Sequence, residues 1–324
     1  MKTLRYCGYE PGASGFGWAT CNTNLRAALG AHFRLVERGV ADVDFVPIVD
    51  HALNPVATPT ADIRLAYTFF ESQLEAGARD NSEQFDTVFC GSTWCKRRLE
   101  DAGVKNARVL IQGVDGAIFR PGPRVPDGKY RIFSGGKCEY RKGQDLVIDA
   151  FACFAKSNPD AHLVCAWHNP WPSLIPFRNP SSVGQSELFK MVLMASGIPP
   201  SQFTVLPHLG AAELAAEMRN TDIGLFPNRC EGGTNLVAME YLSCGRPIVA
   251  NLATGHADLA GAAIHPIAYA VDDIGWADQN VTDIVSAMTR ARALPIERAK
   301  SPRWTWGATA QTVVDEVARL QSLA

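Results

Sequence analysis

Two stretches of this sequence gather the residue types that bind phosphate and sugar hydroxyls. The first is NRCEGGTNLVAMEYLSCGRPIVA, residues 228–250. Gly232 and Gly233 lack side chains, so the backbone there can approach a ligand closely. Thr234 or Asn235 is a good helix N-cap. The helix expected from Leu236 onward stops at Gly245, with Pro247 just beyond. A glycine turn feeding a helix start exposes unpaired N–H groups at the positive end of the helix dipole, a site suited to phosphate. Glu231 lies in the turn, and Glu240 about a turn and a half into the helix. Two carboxylates facing a phosphate would repel it, so both are expected to accept hydrogen bonds from hydroxyls. A phosphate flanked by hydroxyls describes a sugar nucleotide. Taken alone, the pattern also fits an ordinary strand–turn–helix with two surface glutamates.

The second stretch is SGGKCEYRKGQDLVIDAF, residues 134–151. Lys137 and Lys142 are separated by a turn, with Arg141 adjacent. Gly135, Gly136 and Gly143 keep the backbone open. Two cations beside a flexible turn can clamp a diphosphate. A solvated basic loop would show the same spacing. Here the cations follow a strand, and ligands bind beyond the carboxyl ends of strands in open α/β sheets.

The elements that would position these residues alternate along the chain. Strands are expected at 4–8, 45–49, 64–68, 87–90 and 109–111, with helices at 18–29 and 93–102. RPGPRVPDGK, residues 120–129, carries three prolines and two glycines and reads as a linker. Strands then return at 130–134, 163–167, 203–206, 223–226 and 247–250. Helices are expected at 145–156, 187–195, 211–220 and 236–244. Such alternation predicts two doubly wound α/β units in tandem. Two facing sheets would place a ligand in the cleft between them. The proline-rich loop 168–186 is long enough to be functional.

Together the two motif stretches resemble family 4 glycosyltransferases of the GT-B fold. That family carries a Glu-x7-Glu pattern followed by A-x-x-C-G-x-P-V, and a basic pair before a glycine after the first strand of its second domain. GGKCEYRKG matches with Lys137 in place of the usual arginine and with Lys142–Gly143 in register; EYLSCGRPIV matches the tail. YTFFES, FDTVFCGSTWCKRRLEDAG and VLIQGVDGAIFRP resemble the later part of the family's first domain, and PRWTWGATAQTVVDEV its terminal helix. The resemblance implies a short N-terminal Rossmann-like acceptor-side domain (1–122) and a nucleotide-sugar-binding domain (123–301). It implies a C-terminal helix (302–324) packing back on the first. One departure is that eight residues, not seven, separate Glu231 from Glu240.

The resemblance further implies retaining transfer of a hexose from a UDP- or GDP-sugar to a glycan, lipid-linked or small-molecule hydroxyl, in glycan or polysaccharide synthesis. No metal and no cofactor are expected. Lys137, Lys142 and the helix start would stabilise the leaving diphosphate. The implied donor contacts are Gly15, Gly136, Lys137, Lys142, His208, Glu231, Gly232, Gly233, Thr234, Asn235, Leu236 and Glu240. Glu231 approaches the sugar and Glu240 the ribose. Glu71, at a strand end, could orient or deprotonate the acceptor; a carboxylate at a helix N-terminus would look the same. A sugar-nucleotide epimerase and a non-catalytic nucleotide-sugar-binding protein remain open alternatives. Asp42 and Asp44 form a DxD, read as a polar loop.

Composition agrees with these expectations. The 324 residues are 47% hydrophobic and 20% charged, with net charge −2. That balance argues against a dedicated nucleic-acid binder. No run is long enough to span a membrane, and the start lacks the apolar core of a signal peptide. The nine cysteines include no CxxC pair and fit a reduced cytoplasmic protein. Lys96, Arg97 and Arg98 could give weak contact with the inner membrane face, although with the first domain near charge balance a solvated helix face is the better explanation.

Overall fold

The computed structural model describes residues 1–7, 17–179, 182–294 and 304–323. The chain divides into two compact units. One comprises Met1–Asp115, Gly232–Leu236 and Arg303–Ala324; the other comprises Gly116–Glu231 and Val237–Pro302.

The first unit runs β1 (Thr3–Tyr6), α1 (Gly17–Leu29), β2 (Arg34–Val36), β3 (Val43–Ile48), β4 (Ile63–Thr68), α2 (Ala78–Ser82), β5 (Thr87–Cys90), α3 (Thr93–Asp101) and β6 (Ala107–Val109). Its sheet has the order β2-β1-β3-β4-β5-β6, and every pairing is parallel. A parallel sheet covered on both faces needs near-continuous apolar strands. β3 (VDFVPI) is buried throughout. The one charge in it, Asp44, is fully buried and satisfied by Arg5 at 2.7 Å and by the Thr60 and Ala61 N–H groups. Asp44 therefore belongs to a strand, not to the polar loop expected for the DxD. Asp42 accepts from Thr3.

The second unit runs β7 (Tyr130–Lys137), α4 (Gln144–Ser157), β8 (Ala161–His168), α5 (Gln185–Ala195), β9 (Phe203–Val205), α6 (Ala211–Arg219), β10 (Ile223–Phe226), α7 (Leu236–Ser243), β11 (Ile248–Ala250), β12 (Ile264–Pro266), the hairpin β13 (Ala270–Val271) and β14 (Ala277–Asp278), and α8 (Val281–Ala293). Its sheet has the order β12-β11-β10-β7-β8-β9, again parallel. One face packs Phe151 and Phe154 of α4, Phe189 and Leu193 of α5 and Ile284 and Met288 of α8 against the strands. On the other, the Tyr241 ring of α7 stacks on Phe133.

The chain winds from β7 outward through β8 and β9, then crosses to β10 on the opposite side of β7. The sheet's topological switch point therefore lies between β7 and β10, the place where doubly wound sheets open a crevice for ligands. α9 (Trp306–Gln321) returns to the first unit. Its Trp306, Ala310, Val313 and Val317 share a core with Leu4, Leu25 and Tyr67.

Candidate functional site

At the switch point of the second unit, the loops after β7 and β10 form a chain of alternating charges. β7 ends in Gly136, whose φ of 115° favours glycine, and then Lys137. The Lys137 ammonium pairs with Glu139 at 2.6 Å and lies 5.0 Å from the centre of the Trp171 ring. A short 3-10 turn over Tyr140–Lys142 follows. Arg141 donates to Glu139 at 2.8 Å and to Glu231 at 3.2 Å. Lys142 donates to the other Glu231 oxygen at 2.6 Å, and Asn228 donates to that same oxygen. Three cations thus meet two carboxylates.

Backbone bonds fix the two loops to each other. The N–H groups of Arg229 and Cys230 donate to the Arg141 carbonyl at 2.8 and 3.2 Å. Arg229 grips Asp145, in the first turn of α4, through two nitrogens at 2.8 and 2.6 Å. Gln144 closes the β7 loop by donating to the Lys137 carbonyl at 2.9 Å.

The segment after β11 braces the same cluster. Asn251 donates to the Asn228 carbonyl at 2.7 Å. The Glu231 N–H donates to the Thr254 hydroxyl at 3.0 Å, and the Gly255 N–H to the Glu231 carbonyl at 2.9 Å. Thr254 has φ 48°, left-handed and costly for a β-branched residue. His256 is buried, its ring hydrogen-bonded to the Asn251 backbone.

Burial and charge set the protonation of this cluster. Burial is the largest effect on Glu231 and pushes it up, but Lys142, Arg141 and His256 outweigh it and hold the carboxyl at about 2. Lys142 lies below its ordinary value: burial and Arg141 lower it, while Glu231 opposes them. Burial, aided by Lys142, brings His256 down to about 4 against the pull of Glu231, so the ring is neutral at pH 7. Glu240, on α7, is the opposite case. Burial alone raises it to about 8.

Comparison with known proteins decides the family. Residues 129–290 match the model of glycosyl transferases group 1, half of the chain. The chain belongs to the group 1 glycosyltransferases. It is 28% identical over 155 residues to a D-inositol 3-phosphate glycosyltransferase of an Arthrobacter species, covering 45% of this chain and 34% of that one. The chain thus spans about a third of that curated relative's length. Among solved structures, it resembles AviGT4, a glycosyltransferase involved in avilamycin A biosynthesis, with TM-score 0.64 and 16% identity, covering 100% of this chain and 99% of that one. It also resembles Anabaena HepE in complex with UDP and glucose, with TM-score 0.61 and 11% identity, covering 98% of this chain and all of that one. At these identities the likeness is one of fold, two parallel-sheet Rossmann-like domains of the GT-B type.

The family motifs of this group 1 glycosyltransferase are placed as follows. Lys137, Lys142 and Glu231 are brought together. Glu231, expected to accept from hydroxyls, instead accepts from two cations and an amide, because the loops after β7 and β10 press against each other. Glu240 is 8% exposed, and among the described residues no hydrogen bond or ion pair engages its carboxylate. Gly232, Gly233, Thr234, Asn235 and Leu236 group with the first unit. There Ser92 donates to the Gly232 carbonyl at 2.6 Å, and a Cβ on Gly232 would lie 2.3 Å from the Phe70 carbonyl oxygen. Asn235 has φ 60°, where an N-cap is ordinarily extended.

His208 is exposed beyond β9, its ring 5.0 Å from that of His168. Glu71 lies three residues past β4, half-buried and well before α2, so it is not the helix-start carboxylate considered above. Gly15 lies outside the described residues. In α3, Lys96 pairs with Glu100 and Arg98 lies over the Trp94 ring. Sequence reasoning did not single out Glu139, Asn228, Thr254 or His256. Only Glu139 had a local signal, an acid between the two lysines.

Among the described residues, no group of three or more His, Cys, Asp or Glu side chains could hold a metal ion. No described helix is long and apolar enough to cross a membrane.

Proposed function

We propose that this protein moves a hexosyl group from a UDP- or GDP-linked sugar to a hydroxyl acceptor, with retention of configuration and without a metal ion. The observation that carries this reading is the Lys142–Glu231–Arg141 cluster at the switch point of the second sheet. As the glycosidic bond breaks, negative charge develops on the departing diphosphate. Buried cations held beforehand stabilise that charge without reorganising. Because their hold strengthens as the charge grows, they accelerate the step rather than only binding the donor. Lys137, at the end of β7, is the second ammonium of the clamp. The buried, unengaged Glu240 supports a role in accepting ribose hydroxyls. Glu71 is the proposed group that orients the acceptor hydroxyl.

The acceptor is a glycan, a lipid-linked sugar or a small polyol, and the relative's name puts an inositol phosphate on the panel to test. The thiols, all buried except Cys153, support a reducing compartment such as the cytoplasm.

The test is incubation of the purified protein with UDP- and GDP-sugars, with and without acceptors, in buffer and in excess EDTA. Expected are acceptor-dependent release of nucleoside diphosphate, a product of unchanged anomeric configuration, and rates unaffected by the chelator. An isomerised donor, binding without turnover, or loss of activity in EDTA would each overturn the proposal.

A further inference from the structure

The cations of the proposed donor site are each paired with a carboxylate. Glu231 uses both carboxylate oxygens, one on Lys142 at 2.6 Å and the other on Arg141 at 3.2 Å. Its side chain is 5% exposed, and that of Lys142 10%. A carboxylate presents two anionic oxygens to these cations much as one edge of a phosphate would. We propose that Glu231 is a place-holder for the leaving diphosphate: it keeps Lys142 and Arg141 in position while the site is empty and yields both when the donor arrives. This inference rests on the donor-site reading above.

Three further observations support it. The Glu231 backbone is clamped on both sides, its N–H by Thr254 and its carbonyl by Gly255, so the loop is anchored independently of the carboxylate, which Asn228 also holds. The clamp uses a residue in a strained conformation, Thr254, as expected where geometry is held for function. Finally, a buried ammonium beside Arg141 needs an anion to stay charged, and Glu231 is the anion facing it. The other charged or titratable groups around the pair are Glu139 and His256. Glu139 is bonded to Lys137 and Arg141, and His256 is neutral.

A place-holder and a sugar ligand respond oppositely to substitution. If Glu231 mainly gripped the sugar, Glu231→Gln would weaken the nucleotide sugar and leave nucleoside diphosphate unchanged. A place-holder competes with the diphosphate, so removing its charge tightens binding of UDP or GDP. It also leaves buried Lys142 easier to deprotonate, so the gain shrinks as pH rises.

The experiment is calorimetric titration of UDP and GDP into wild type, Glu231→Gln and Lys142→Gln from pH 6.5 to 9. Affinities are compared as variant-to-wild-type ratios, in which the ligand's own titration cancels. At pH 6.5, Glu231→Gln is expected to bind about tenfold tighter, with the advantage fading toward pH 9 and turnover reduced. Glu231→Asp, too short to reach both cations, gives a smaller change of the same sign and stands in if the glutamine variant does not fold. Unchanged or weaker binding at pH 6.5, with Lys142→Gln still weakened, overturns the place-holder alone. Equal binding by wild type and Lys142→Gln overturns the donor site itself, and the place-holder with it.

Discussion

Glu240 is predominantly a carboxylic acid at neutral pH. Burial lifts its titration to about 8 from an ordinary 4.5, so the folded state holds a proton that the unfolded chain releases. The associated stability is complete below about pH 4.5 and is lost as pH rises through 8. Glu231 has the opposite sign. Its carboxyl is depressed to about 2, so its contribution is complete above pH 4.5 and disappears as pH falls toward 2. We expect Glu240→Gln to melt like wild type at pH 5 but to be more stable at pH 8.5, by on the order of 1–3 kcal/mol. Thermal unfolding at the two pH values checks this; equal stability at both would mean that Glu240 is not desolvated. Lys137, Lys142, Glu231 and Glu240 were legible as candidates because type and spacing sit in local motifs. The ion pairing of Glu231 was not, because it depends on how two loops 90 residues apart in sequence pack. Thr254 and His256 had no local signal; they reach the site because β11 lies beside β10.

At the scale of elements, the glycine after Lys142 has a double reason. Gly143 has φ 72°, and a Cβ there would lie 2.4 Å from the Pro227 carbonyl oxygen. It lets the loop after β7 turn into α4 while pressed against the end of β10. Gly136 has φ 115° but open space around it. Gly143→Ala is therefore expected to cost about 2–4 kcal/mol, combining backbone strain with overpacking, and Gly136→Ala less. Denaturant unfolding of the two variants measures both, and a reversed order would contradict the stated contacts. β5 and β10 have the bounds that their apolar runs predicted. β7 runs to Lys137, three residues past its expected end, which places the first ammonium on a strand rather than in a loop. Its pairing with β8 continues over those residues, a tertiary effect that the glycines at 135 and 136 hid. β2 escaped notice because it is a three-residue edge strand, exposed at Arg34.

For the whole molecule, alternation of strand and helix sufficed to give two parallel sheets, because strands buried on both faces read as apolar runs separated by amphipathic helices. The sequence pattern did not reveal the strand order, which puts β7 beside β10 and thereby creates the switch point. The central claim is that Lys142 stabilises the diphosphate as it leaves. Its most direct test compares Lys142→Ala with wild type in two quantities: turnover of the nucleotide sugar and the Kd for nucleoside monophosphate, which lacks the phosphate that gains charge. Turnover is expected to fall about 10²–10³-fold and the monophosphate Kd to change far less. Equal losses in both, or none in turnover, would contradict it.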